Sequence, residues 1–355
     1  MSKAVEKRGG SKPCVFIHVN HKQILGAHVG ERSLRHFSRN NDKFDVKFIE
    51  TKDHPFLLAR EGEMFLRNGV KRKWRMNDLQ SFTPLRFMPP ELMNYRGRAV
   101  VIDPDVFAVG DAWDLLSRDM EGKAIMCRPR SKISRNINGK LASNVMLLDC
   151  AKLRHWKVEH QFNEMFGGQQ DYGKWITLMY EDRSTIGFLE NSWNDLTGLK
   201  KITRMQHTSE LSTQPWNTGL PIDFVRADKH DAFPSPSWLS CFHRKIVGDH
   251  SLLGHHKTQP DKNREDLFFA LLLECFDDGT VTGDMVQNEM LPYYARQDVI
   301  TSRSMSTRPG AKHPFPPSSW MSASPPPPQN SRVRDSIPLQ TIARATAPTW
   351  ARAIS

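Results

Sequence analysis

The chain has 355 residues, 38% of them hydrophobic and a quarter charged, with a formal net charge of +11. That length allows one large domain or two small ones, and the composition is that of a soluble globular protein. The charge argues against a nucleic-acid face on the folded part. Residues 1–12 hold four Lys/Arg against one Glu, residues 301–355 hold seven against one Asp, and residues 13–300 are left nearly neutral at +2.

In chain order, residues 1–12 read as a disordered lead, polar and without the apolar core of a secretory signal. The apolar run Cys14–Val19 reads as a strand, residues 24–36 as a helix and residues 44–49 as a second strand. The basic cluster Lys71-Arg72-Lys73-Trp74-Arg75 reads as a solvated loop. Ala99-Val100-Val101-Ile102 reads as a fully buried strand, followed by a helix over residues 111–116. Further strands are expected within residues 121–127, 144–148 and 201–206, with a helix over 156–166. Alternation of this kind is the α/β signature and spans residues 13–225. Residues 226–300 read as a helical appendage, with apolar stripes at 264–276 and 282–290. Residues 301–355 contain ten of the 23 prolines, including Pro325-Pro326-Pro327-Pro328, and should stay a disordered tail. That tail is either plainly solvated or a docking segment for a proline-binding module.

The five cysteines (Cys14, Cys127, Cys150, Cys241, Cys275) are odd in number and form no C-x-x-C pair. They fit reduced thiols better than a disulfide framework or a zinc site. No stretch is long enough to span a bilayer. A cytoplasmic protein is the expectation.

Asp103-Pro104-Asp105 ends the buried run. Pro104 cannot extend a central strand, so the chain must leave the sheet there. Two carboxylates at the carboxyl end of a buried strand occupy the position where open α/β sheets bind ligands. Paired oxygen ligands suit a hard cation, Mn²⁺ or Mg²⁺, holding a diphosphate. The plainer alternative is a solvated turn capping the next helix. A metal-dependent phosphoryl or nucleotidyl transferase would want a Gly-rich phosphate loop, and neither G-x-x-x-x-G-K-[ST] nor G-x-G-x-x-G occurs.

Several segments stand in a definite order around the acidic step. They are Ser81-Phe82-Thr83-Pro84-Leu85-Arg86-Phe87-Met88-Pro89-Pro90, then Ala142-Ser143-Asn144, Gln169-Gln170-Asp171, Trp193-Asn194, His207, and Gln214-Pro215-Trp216. This ordering resembles the glycogenin/galactosyltransferase-like nucleotide-sugar glycosyltransferases, glycosyltransferase family 8 and close relatives, over roughly residues 14–220. The resemblance implies a GT-A-type single Rossmann-like domain with a mixed central sheet. It implies metal-dependent transfer from a nucleoside-diphosphate sugar, with retention, to a glycan, protein or small-molecule acceptor that the sequence does not name. It makes Asp105 and His207 metal ligands, with Asp103 reaching the metal or the ribose. It places Asn20 on the loop over base and ribose, Arg86 beside the donor, Ser143 against the donor sugar, and Asp171 near the anomeric carbon. Ser143 and Asp171 are thus the catalytic candidates, and Asn20, Arg86, Asp103, Gln214 and Trp216 the donor-binding ones.

The chain departs from the family pattern H-x-x-G-x-x-K-P-W. It has one more residue between His207 and Pro215, lacks the Gly, and has Gln214 where Lys is usual. A Lys would set a cation against a phosphate, whereas Gln can only hydrogen-bond. Gln169 likewise replaces an acid. These departures keep open a catalytically silent relative that binds a nucleotide sugar or a partner.

Overall fold

Short runs of aliphatic and β-branched residues build the centre of the molecule. The computed structural model describes residues 11–76, 78, 80–130, 140–220, 222 and 255–290. Its strands are β1 (Cys14–Val19), β2 (Asp45–Glu50), β3 (Met64–Arg67), β4 (Val70–Lys73), β5 (Arg98–Ile102), β6 (Val106–Ala108), β7 (Ile125–Pro129), β8 (Leu141–Asp149), β9 (Ile186–Phe188) and β10 (Met205–His207). Six of them form the central sheet in the order β2-β1-β5-β8-β7-β9. β1 pairs in parallel with β2 and β5, and β7 with β9, while β8 runs antiparallel to both β5 and β7. The α/β class with a mixed sheet is therefore as expected.

Every residue of β1 is buried, and so is all of β5 after Arg98. Strands covered on both faces need no polar alternation, which is why they read as continuous apolar runs. Alternate residues still part to opposite faces. Phe16, Val101 and Met146 join one core layer with Trp156, Phe162 and Trp175. Val15, Ile17, Val100, Ile102 and Val145 join the other, with Ala27 and Leu34 of the first helix, α1 (Ile24–Phe37).

A third apolar cluster lies outside these layers. The Lys262–Asp277 helix, capped by the Asp261 carboxylate on the Asn263 amide at 3.0 Å, packs Leu267, Phe268 and Leu271 against Leu25, Val29, Phe107 and Trp216. The approach is close at the start of α1. A Cβ on Gly26 would lie 2.8 Å from the Pro104 carbonyl oxygen and 3.2 Å from the Trp216 ring. Only a residue without a side chain lets α1 press against the acidic turn.

Several boundaries differ from the sequence reading. The basic cluster at 71–75 is not a loop. Its first three residues, Lys71 to Lys73, lie on β4, antiparallel to β3, around Asn68-Gly69, whose φ values of 53° and 78° suit a tight hairpin. Trp74 is buried and donates its indole N–H to the Leu57 carbonyl at 2.9 Å. The strand expected within 121–127 is β7, which begins only at Ile125, after the turn of Glu121 and Gly122 at φ 48° and 75°, and runs on to Pro129. The helix expected at 111–116 is one turn, Trp113–Leu116, and the strand expected at 201–206 is only Met205–His207. The helices expected at 156–166, 264–276 and 282–290 are present as Val158–Gly167, Lys262–Asp277 and Gly283–Met290. The first part of the expected appendage, the Pro-rich tail and most of the lead lie outside the described residues. Among the described residues, no helix is long and apolar enough to cross a membrane.

Candidate metal centre

β5 stops at Ile102, one residue before the acidic step, as Pro104 requires. The chain turns there, with the Val106 amide donating to the Asp103 carbonyl at 3.2 Å, and enters β6. β6 pairs antiparallel with β10, and the register sets His207 opposite Val106. The Thr208 amide donates to the Asp105 carbonyl at 2.9 Å. This short ladder brings a histidine a hundred residues downstream onto the acidic turn. Asp103, Asp105 and His207 are all buried, and their ligating atoms lie within 4.8 Å of one another.

The partners of each group are specific. Asp103 Oδ1 lies 2.9 Å from Arg86 Nη2 and 3.0 Å from His18 Nε2, and Oδ2 accepts from the Asn144 amide at 2.6 Å. Burial by itself would raise the Asp103 carboxyl. The Arg86 guanidinium, with His18 contributing, outweighs it and holds the group well below the usual carboxylate range. Burial pushes the His18 imidazole down, against the raising effect of the Asp103 carboxylate beside it.

Asp105 Oδ2 accepts from the Gln214 amide at 3.2 Å, and Oδ1 lies 3.3 Å from His207 Nε2. His207 Nδ1 faces the Asn194 carboxamide oxygen at 2.8 Å. An oxygen acceptor there takes an N–H from Nδ1, which makes Nε2 the ring nitrogen that a metal ion would use in place of its contact with Asp105. Burial would lower the His207 pKa, but the carboxylates of Asp105 and Asp103 outweigh it and raise it. Two carboxylates and one imidazole, oriented by Asn194, Gln214 and Asn144, are a donor set that fits a divalent cation.

The centre forms one wall of a cavity of about 390 Å³ that Phe82, Thr83, Arg86, Asn144, Arg128 and Arg130 also line. Its position follows from topology. From β1 the chain goes to β2 on one side and later returns to β5 on the other. The crevice at the carboxyl ends of β1 and β5 is the topological switch point, where open α/β sheets bind nucleotides. An irregularity on β8 supplies polar groups. Cys127 pairs with Met146 but Arg128 with Ala142, so Ser143, Asn144 and Val145 have no counterpart on β7. Freed from that pairing, Asn144 reaches Asp103, and Ser143 accepts from Arg86 Nη1 at 2.6 Å while donating to the Ile176 carbonyl at 2.6 Å.

The remaining expected site residues stand further back. Ser143 is fully buried behind Arg86, whose guanidinium it orients. Asn20 is buried, its amide donating to Ser81 Oγ at 3.1 Å and its side-chain oxygen accepting from the Lys22 amide at 3.1 Å; it shapes the loop after β1. Gln214 is fully buried and also accepts from Gln23 and Asn217 at 3.3 and 3.1 Å. Trp216 is fully buried, its ring stacked on Phe268 at 4.9 Å. Asp171 caps the helical turn Tyr172–Trp175, accepting from the Lys174 amide at 3.1 Å and from Gly69 of the β3–β4 hairpin at 2.7 Å. Asp103, Asp105, His207 and Arg86 thus line the cavity, whereas Asn20, Ser143, Asp171, Gln214 and Trp216 do not.

Sequence reading missed the parts played by His18, Asn144, Asn194, Arg128 and Arg130. His18 follows Ile17, which pairs with Ile102, so it meets Asp103 only because β1 and β5 are neighbours. The spacing Arg128-Pro129-Arg130 was visible, but nothing local placed it on the cavity.

No protein-family model matches the chain, and no curated protein matches it in sequence. Among solved structures it is similar to the glycosyltransferase GlyE of Streptococcus pneumoniae TIGR4, at 15% identity over 58% of this chain and 56% of that one, with a TM-score of 0.39. The chain thus spans a little over half the length of GlyE. It is also similar to the galactosyltransferase LgtC, solved with donor and acceptor sugar analogues, at 10% identity over 67% and 96% of the two chains (TM-score 0.39). Mouse xyloside xylosyltransferase 1 is similar at 12% identity over 56% and 97% (TM-score 0.34).

Proposed function

We propose that this protein is a glycosyltransferase of GT-A type, moving a sugar from a nucleoside-diphosphate sugar to an acceptor with the help of Mn²⁺ or Mg²⁺. The observation that carries the reading is the convergence of Asp103, Asp105 and His207, from segments a hundred residues apart, on one side of a cavity at the switch point of the sheet. Asp105 Oδ1 and His207 Nε2, now 3.3 Å apart, are the atoms that would hold the ion, with Asp103 beside them. Asp103, Asp105 and His207 would hold the divalent ion, which would supply positive charge against the charge that builds on a departing diphosphate. Arg86, fixed by Asp103 and Ser143, presents its guanidinium to the same space. Among the described residues lining the cavity, the only carboxylates are Asp103 and Asp105. Inversion needs a base on the face opposite the leaving group, and both acids are committed to the centre. Retention, with the departing phosphate oxygen taking the acceptor proton, fits that lining. The free, buried thiols of Cys14, Cys127, Cys150 and Cys275 fit a reducing, cytoplasmic setting.

The same lining favours a second reading, a relative that binds a nucleotide sugar without turnover, because Asp171 is spent on a helix cap. A donor-hydrolysis screen across nucleotide sugars, with and without Mn²⁺, separates the two. Asp105→Asn should weaken Mn²⁺-dependent nucleoside-diphosphate binding on the order of a hundredfold, through loss of a charged ligand. Calorimetric titration reads the affinity, and an unchanged unfolding midpoint shows that the fold survives. Wild-type affinity in this variant would reduce the acidic step to a turn and sink the reading.

A further inference from the structure

We propose that the β7 side of the cavity binds the anionic group of an acidic acceptor, a phosphorylated or carboxylated sugar, through Arg130 with Arg128 beside it. The proposal rests on the glycosyltransferase reading and adds the acceptor's chemical class.

Position comes first. The carboxyl ends of β1, β5 and β7 lie along one edge of the sheet, where β8 begins. The switch point, and with it the donor nucleotide, belongs to β1 and β5. β7 stands two strands beyond β5, roughly 10 Å across the sheet. A sugar leaving a diphosphate at Asp105 would lie between them, so β7 faces the side from which an acceptor approaches.

Charge comes second. Arg128 and Arg130 are two residues apart at the end of β7, just after its irregular step, and both line the cavity. Such irregularities re-aim side chains. Arg128 donates to the Asn194 carbonyl at 2.6 Å, and its Nε is buried with no partner among the described residues. Arg130 is exposed at the cavity, and its side chain makes no hydrogen bond or ion pair among the described residues. Three guanidinium groups, of Arg86, Arg128 and Arg130, face two carboxylates there. With a divalent ion and a donor carrying one charge per phosphate, one positive charge is left over, and it lies on the β7 side. A neutral acceptor would leave that charge uncompensated, whereas one phosphate or carboxylate matches it in the bidentate geometry that guanidinium favours.

The test uses the full chain loaded with Mn²⁺ and whichever of UDP, GDP, ADP, CDP or TDP binds it tightest, with glucose, glucose 6-phosphate and glucuronate as probes. Ligand-observed NMR should show both acidic sugars binding at least about tenfold tighter than glucose. Arg130→Gln should remove that preference and Arg130→Lys should keep part of it, with nucleotide affinity unchanged in both. The Arg130 side chain makes no hydrogen bond or ion pair among the described residues, although it feels the charges of Asp103 and Arg86, and an unchanged unfolding midpoint of each variant checks the fold. Equal binding of all three sugars while a nucleotide binds would overturn the proposal and leave the glycosyltransferase reading standing. A loss of nucleotide affinity in Arg130→Gln would also overturn it, by placing the guanidinium on the donor phosphates. If no nucleoside diphosphate binds yet the Arg130-dependent preference persists, the acidic-sugar site stands and the donor reading fails.

Discussion

Residues 205–217 serve two regions of opposite character. At one end His207 joins a polar centre in which each charge is placed by named partners: Arg86 and Asn144 on Asp103, Gln214 on Asp105, Asn194 on His207. At the other end Trp216 lies in an apolar seam between α1 and the Lys262–Asp277 helix. Hydrophobic burial is large and nearly indifferent to direction, whereas buried polar networks act through direction and are costly when half-satisfied. The seam therefore supplies the anchorage, and the polar end of the same segment can be preset without having to hold itself in place.

The largest effect should come from breaking the seam. Trp216→Ala removes a fully buried ring from its stack on Phe268 and should cost about 3–5 kcal/mol in chemical denaturation. The Trp216 indole N–H has no partner among the described residues, so Trp216→Phe should stay within about 1 kcal/mol of wild type. A loss under about 1 kcal/mol for Trp216→Ala would mean that the seam is not the anchor.

A smaller effect is expected at the boundary between the regions. Gln214 donates to Asp105 from a fully buried position. A lysine there meets that carboxylate before any phosphate, so Gln214→Lys should lower Mn²⁺ affinity about tenfold, near 1.4 kcal/mol. A Mn²⁺ titration followed by water-proton relaxation reads it. Unchanged Mn²⁺ affinity with tighter nucleoside-diphosphate binding would place the ammonium over the phosphates instead.

The smallest effect concerns the rim of the seam. Glu274 lies 2.6 Å from Arg32 Nε and 3.0 Å from His36 Nδ1. Burial alone would raise the Glu274 carboxyl, but the hydrogen bonds from His36 and Arg32 outweigh it and lower it. A lowered pKa in the folded state means stability that is present above the ordinary glutamate value of about 4.3 and lost as pH falls through the folded value. Wild type should exceed Glu274→Gln by about 1 kcal/mol at neutral pH, with the gap closing in acid. A gap that persists at low pH would show that packing, not charge, sets this edge.

The sheet strands and the long helices could be read from sequence because their signals are local. Buried runs such as Cys14–Val19 and the stripe of the Lys262–Asp277 helix carry their periodicity within a few turns. Asn68-Gly69 is a local mark of the β3–β4 hairpin, a signal that the reading of the following basic run as a loop did not use. Strands of three residues, β6, β9 and β10, have no such signal, because pairing with a distant segment is all that defines them.

The sequence by itself determined the acidic step, the proline that ejects it from the sheet, and the order of polar segments that follow. Only the tertiary structure decided what those segments do. β6–β10 register set His207 on Asp105, the neighbourhood of β1 and β5 set His18 on Asp103, and the extra residues of β8 turned Asn144 and Ser143 toward the centre. The same packing withdrew Trp216 and Asp171 into a seam and a helix cap, and left Arg130 facing the cavity. Spacing along a chain constrains which residues a strand or helix can present. Which side chains meet across strands is decided by pairing register and packing, and those depend on contacts that no local window contains.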